Sequence, residues 1–159
     1  MQAVASENQQ LKGRISRLQS DCDAIQIAYD NLKLQAAETA EWANQMADRF
    51  GPSVWYFGSD EKPLPYKSIK NATPQHLLEQ LNQLFREAKL PLVDLKKIDG
   101  DTAYIRVVED EQLTQNMGTT GATAYIQVVT YTFVSLPDID YVDFEFPEGD
   151  HAIPGKYSR

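Results

Sequence analysis

The side chains that could do chemistry are few: His76, His151, the single cysteine Cys22, and the acidic run Asp138, Asp140, Asp143, Glu145, Glu148 and Asp150. A histidine can move a proton near neutral pH or ligate a metal through a ring nitrogen. The two here lie far apart in sequence with no cysteine nearby, so the spacing offers neither a metal set nor a catalytic pair. His76 falls in the first turn of a predicted helix, an ordinary place for a polar residue. The acidic run alternates along a predicted strand, which places several carboxylates on one side. A weak cation site and a solvated face are its two readings, and it lacks the closely spaced oxygen ligands of a calcium loop. Thr119 and Thr120 carry hydroxyls, but no His or Lys near them in sequence could act as base; capping of a helix entry is their expected work. Gly118-Thr119-Thr120-Gly121 is no P-loop, which needs a Lys after its last glycine. The sequence therefore predicts no catalytic residue, no metal ligands and no cofactor, hence a protein that is not an enzyme.

The elements that would position these residues are easier to read. Ala122, Tyr125, Ile126, Val129, Thr132, Phe133 and Leu136 recur at three- and four-residue steps, one apolar stripe on a helix. The β-branched run Val128, Val129, Thr130 and Thr132 also allows a strand, but the stripe outlasts a strand's usual length and Pro137 ends it. Ile139, Tyr141, Val142, Phe144 and Phe146 then form a strand. Upstream, Val54-Trp55-Tyr56-Phe57 is suited to a central strand, Ser59–Pro65 to a loop, and Tyr66–Asn71 to a short strand or extended link. Thr73-Pro74 opens a helix with the stripe Leu77, Leu78, Leu81, Leu84, Phe85 and Ala88, which Pro91 closes. Val93–Ile98 and Ala103–Val108 flank Asp99-Gly100-Asp101, a hairpin mark. Glu109–Gly118 is a polar connection, and His151–Arg159 a tail. The order is strand, helix, strand, strand, helix, strand. Two amphipathic helices need a sheet face, which predicts an α+β fold, a two-layer α/β sandwich.

The first 50 residues contain no proline and one glycine, Gly13. Val4, Leu11, Leu18, Ile25, Leu32, Thr39 and Met46 fall seven apart. A second series, Ile15, Cys22, Tyr29, Ala36, Ala43 and Phe50, has the same step. That is a coiled-coil heptad, whose period of 3.5 keeps one seam toward a partner helix. The seam Leu11, Ile15, Leu18, Cys22, Ile25, Tyr29, Leu32, Ala36, Ala43 and Met46 predicts self-association as a dimer or trimer. The other reading is a helix folded back on its own domain. Lys12, Arg14, Gln19, Asp21, Gln26, Ala28, Lys33 and Gln35 flank the seam without a ladder of opposite charges. Cys22 on the seam is a small buried hydrophobe or an inter-chain disulfide. Gly51-Pro52 stops the helix, dividing the chain into a coiled-coil helix, 1–50, and a globular domain, 51–159.

Composition narrows the function classes. The 159 residues are 42% hydrophobic and 24% charged, with a net charge of -8. That acidity disfavours nucleic acid and anionic lipid as partners. One cysteine can form no internal disulfide and leaves the redox compartment open. No apolar run reaches the roughly 20 residues of a membrane span, and the first residues do not resemble a signal peptide.

Gly118-Thr119-Thr120-Gly121, the helix ending Tyr131-Thr132-Phe133-Val134-Ser135-Leu136-Pro137-Asp138-Ile139, the strand Tyr141-Val142-Asp143-Phe144-Glu145-Phe146 and the turn Glu148-Gly149 together resemble a GerMN domain. Val54-Trp55-Tyr56-Phe57 and Ile98-Asp99-Gly100-Asp101-Thr102-Ala103-Tyr104-Ile105 are similar to that family's opening strand and central hairpin. The resemblance runs from about Ser53 to the C-terminus. Leu136-Pro137 stands where the family usually has Phe-Pro, and the family pattern does not include the preceding heptad helix. The resemblance implies a non-enzymatic α/β module of bacterial sporulation and germination proteins and lipoproteins, similar in fold to the ring-building motifs of secretion systems. It also implies other envelope or sporulation proteins as partners. With the heptad as a stalk, an extracytoplasmic, membrane-tethered native protein is expected. The exposed sheet edge and the Glu109–Met117 connection are the expected docking surfaces. The alternative is a soluble ligand- or glycan-binding module with Trp55, Tyr56 and Tyr66 as the interaction surface.

Overall fold

The computed structural model describes residues 2–58 and 62–159, with side chains from Glu7 onward; the side chain of Val4 in the first seam series and residues 59–61 of the expected loop lie outside what it describes. Helix α1 runs Gln2–Phe50. It stops where the sequence places the stop: Gly51 takes the left-handed conformation (φ 65), and its N–H donates to the Ala47 carbonyl at 2.8 Å. A residue with a Cβ is strained in that conformation, which favours glycine at the end of the helix. The chain divides into two compact units, one up to Thr39 and one Ala40–Arg159, so the last eleven residues of α1 belong with the globular unit.

The globular unit is mixed α/β with two sheets among the described residues. Strands β1 (Ser53–Phe57) and β2 (Pro63–Ser68) form an antiparallel pair of their own. Helix α2 (Pro74–Ala88) follows, then β3 (Val93–Asp99), β4 (Thr102–Val107), helix α3 (Gly118–Val134), β5 (Tyr141–Glu145) and β6 (Gly155–Tyr157). The second sheet has the order β3-β4-β5-β6, with β4 and β5 parallel and the other pairs antiparallel. Parallel neighbours need a long crossover, and α3 provides it.

The expectation that Val54–Phe57 is a central strand is corrected. β1 pairs with β2 on one edge, while its other edge meets α3 side chains. Trp55 N–H donates to Thr132 Oγ1 at 3.0 Å and Ser53 N–H to Ser135 Oγ at 2.9 Å. Hydroxyls near the end of α3 thus do for β1 what a third strand would do. This also explains why α3 is more than a one-sided stripe. Ala122, Ile126, Val129, Thr132 and Phe133 of the stripe are buried, and so are Val128, Thr130, Tyr131 and Val134 around the rest of the helix. A helix apolar all round must be covered all round, and α3 has β5 and β1 both packed against it.

Helix α2 starts as read, with Thr73 Oγ1 accepting from His76 N–H at 3.2 Å and Pro74 in the first turn. It ends earlier than Pro91 suggests, because Lys89 turns left-handed (φ 56) and Leu90 N–H donates to Phe85 O at 2.8 Å. The Asn82 amide then brackets Val93, donating to its carbonyl at 2.8 Å and accepting from its N–H at 2.9 Å. In the β3–β4 hairpin Asp99 pairs with Thr102, so the two-residue loop is Gly100-Asp101, and only Gly100 has positive φ, as a turn with glycine at its first central position requires. Glu109–Gly118 is not an open polar connection: Gln112–Asn116 form a turn of π-helix that buries Leu113 and Thr114.

Candidate functional site

The seam is built by residue spacing on an uninterrupted helix, and its side chains lie bare from Leu11 to Ala36. Leu11, Ile15, Leu18, Ile25, Tyr29 and Leu32 are 47–68% exposed. Cys22 is exposed as well, and so is Ala36. Isolated exposed leucines are ordinary on proteins, but a continuous stripe of them marks a surface that is covered by something. Lys33 places its ammonium 5.8 Å from the Tyr29 ring centre, an exposed contact worth little by itself. Two residues outside the heptad, Ile27 and Leu34, are equally bare at 63% and 60%. They fall seven apart on the opposite side from the seam, a signal present in the sequence but not used in reading it.

Ala43 and Met46, named as seam residues, take a different place. Ala43 is 0% exposed and clusters with Ala47, Trp55 and Tyr131, with Met46 packed against them. Those methyls lie against the globular unit's own aromatic rings and so are not open to a second chain. Nearby, Trp42 Nε1–H donates to the Pro63 carbonyl at 3.1 Å, and the Lys62 ammonium lies 5.3 Å from the Trp42 ring centre.

The same cluster removes the aromatic surface expected at Trp55, Tyr56 and Tyr66. Trp55 is 0% exposed and meets Tyr131 edge-on at 5.5 Å. Tyr56 is half-buried and Tyr66 exposed, their rings edge-to-face at 5.7 Å. The physical reason is a register shift between Val54 and Trp55 opposite β2. Val54 and Trp55 are both buried as a consequence, although strict alternation would send one outward. One platform of three rings does not exist.

The other candidates fall as follows. His76 is exposed on α2 and engages Thr73 through its backbone alone. His151 is brought to α3, its Nδ1 3.1 Å from Thr119 Oγ1. That corrects the capping role expected of Thr119 and Thr120. The residue before the helix is Met117, in helical conformation and with no side-chain cap, because the π-helical turn runs almost directly into α3. Asp138, Asp140, Glu145, Glu148 and Asp150 are exposed and Asp143 half-buried. Among the described residues no three His, Cys, Asp or Glu side chains converge as a metal site would require. The four-stranded sheet has β3 at one edge and the three-residue β6 at the other; in β3 the register shifts between Leu95 and Lys97 and Lys96 and Lys97 are exposed. A bulge and lysines on an edge discourage strand addition.

Burial, and not a charge partner, dominates the titration shifts. Tyr125 is pushed well above the usual tyrosine range by burial, and its hydroxyl donates to Pro91 O at 2.8 Å. Burial also raises Tyr131, with Arg159 pulling the other way, and Tyr157. All three are held more firmly as neutral phenols, which suits structural residues. Comparison of the chain with family models, curated proteins and solved structures finds no match.

Proposed function

We propose that this protein is a non-enzymatic assembly module whose N-terminal helix joins copies of the chain as a coiled coil. The observation that carries the reading is the bare stripe Leu11, Ile15, Leu18, Ile25, Tyr29 and Leu32. Burying one such side chain stabilises by about 1.5–3 kcal/mol, so a second copy laid along the stripe gains what the single helix leaves in water. The effective seam spans Leu11 to Ala36 and ends before Ala43.

The Ala40–Arg159 unit is, in this reading, a GerMN-like domain presented by that stalk. What supports it is that α3 packs on β5 and that Thr119 at the entry to α3 lines one cavity with Glu148 and Gly149. In this reading helices α2 and α3 form one layer and the four-stranded sheet the other of a two-layer α/β sandwich, a reading supported by the packing of α2 on β3 and of α3 on β5. The native setting is a cell envelope, with the protein tethered outside the membrane and docking other envelope or sporulation proteins. The bulged, lysine-bearing β3 edge argues against docking by strand addition. The docking face in this reading is the exposed Glu109, Glu111, Gln115 and Asn116 of the connection that holds the π-helical turn.

The test is the solution mass of the full chain and of residues 40–159, by light scattering after size exclusion. The full chain is expected to be a dimer or trimer and the shorter one a monomer. Two monomers would end the coiled-coil reading.

A further inference from the structure

The globular unit contains a cavity of about 440 Å³ between α3 and the segment 148–158, a size within the ~300–1,000 Å³ of small-molecule sites. Neither the assembly reading nor the seam uses it. The loop that closes it is rigidly placed. A Cβ on Gly149 would lie 2.5 Å from Thr114 Cβ and 2.9 Å from its carbonyl oxygen, so only glycine lets the two segments approach. Gly149 N–H donates to Ala152 O at 3.1 Å and His151 N–H to Thr114 O at 3.2 Å. Those bonds hold the His151 ring against Thr119 Oγ1 at 3.1 Å.

The helix wall supplies the second observation. Thr130 lines the cavity and is 1% exposed, yet its hydroxyl has no hydrogen-bond partner among the described residues. Its helical neighbours Thr123 and Thr132 do bond back, to Thr119 O at 2.9 Å and Val128 O at 2.8 Å. A buried hydroxyl left without a partner is costly unless something else supplies the bond. Gln127, one turn before Thr130, adds an amide, and Glu148 and Asp150 bring carboxylates to the rim.

These groups define the ligand by chemistry. Two carboxylates repel an anion, and no metal-binding group of three forms among the described residues. Hydroxyl, amide and imidazole groups accept and donate several hydrogen bonds, and the half-buried Tyr157 also lines the cavity. A sugar ring, with hydroxyls around its rim and apolar C–H faces, matches that combination. We propose that the cavity binds one sugar residue, neutral or carrying an amine. This inference does not depend on association of the helix.

Amide shifts of the full-length protein, followed by NMR during titration with glucose, glucosamine and glucuronate, test the idea. Saturable shifts confined to residues 118–131 and 148–158 are expected with glucose or glucosamine and not with glucuronate. Thr130→Val and Gln127→Ala should each weaken binding about three- to tenfold, the loss of one hydrogen bond. Gln127 is only half-buried, so its variant reports even if Thr130→Val fails to fold. Absence of saturable shifts up to about 50 mM, far above a millimolar dissociation constant, would overturn the proposal. So would equal binding of glucuronate, or a folded Gln127→Ala that binds unchanged.

Discussion

Trp55 and Tyr66 sit in the same β-pair and have opposite energetics. Trp55 has no exposed surface and Tyr66 keeps 61% of its own. Trp55→Ala should cost about 3–5 kcal/mol, the usual penalty for emptying a large aromatic site. Tyr66→Ala should stay within about 0.5 kcal/mol. Urea unfolding of both variants checks the contrast, and equal losses would contradict the burial described. Tyr125 gives a second test at this scale, with pH as its variable. Its folded pKa is raised by burial above the ordinary value of 10.0. Above pH 10 the unfolded chain gives up that proton while the folded chain keeps it, so stability is full below pH 10 and falls as pH rises. Tyr125→Phe removes this contribution. Its unfolding free energy should decline less steeply above pH 10 than the parent's, with Tyr131 and Tyr157 leaving a residual slope. Below pH 10 the variant should lose about 1 kcal/mol, because Pro91 O loses its donor.

Among the elements, period was legible and neighbourhood was not. The stripe in α3 predicted a helix correctly against its β-branched composition, because three- and four-residue spacing continued for longer than a strand runs. What spacing could not say is that Val128, Thr130 and Tyr131, which lie off the stripe, are also covered. The covering strand β1 is more than 70 residues earlier in the chain, bonded at Trp55 to Thr132. His151 and Thr119 were invisible as a pair for the same reason, 32 residues apart in sequence. Helix α1 gives the element-scale prediction. In the seam, Ile15, Cys22 and Tyr29 form one series and Leu11, Leu18, Ile25 and Leu32 the other. Ile15 of the first series between Leu11 and Leu18 of the second is the combination that favours two parallel strands. Parallel, in-register helices place the two Cys22 side chains face to face, whereas antiparallel helices pair one series with the other. Mild oxidation of the full-length protein should therefore give a disulfide-linked band of doubled mass, lost on reduction. Failure to cross-link in a protein shown to be dimeric would mean antiparallel helices. Leu18→Asp should abolish association and leave the unfolding of the globular unit within about 0.5 kcal/mol.

For the molecule as a whole, the boundary between stalk and globular unit is a question of which side chains cover which. Gly51-Pro52 reads as a boundary because it ends a helix, and it does end one. An ended helix is not an ended domain. Ala43 and Ala47 lie on the last turns of α1 and form one buried cluster with Trp55 and Tyr131. Trp42 also reaches the Pro63 carbonyl. Cutting at residue 51 removes that cover and leaves two large rings in water, while cutting at residue 40 keeps it. At about 25 cal/mol per Å² of apolar surface, exposing parts of an indole and a phenol ring is a loss of a few kcal/mol. That is a large share of the roughly 5–15 kcal/mol that holds a domain folded. Residues 40–159 should unfold in urea at the same midpoint as the globular unit of the full chain. Residues 51–159 should unfold at a clearly lower concentration or self-associate through the bared rings. Equal midpoints for the two truncated chains would place the end of α1 outside the globular core.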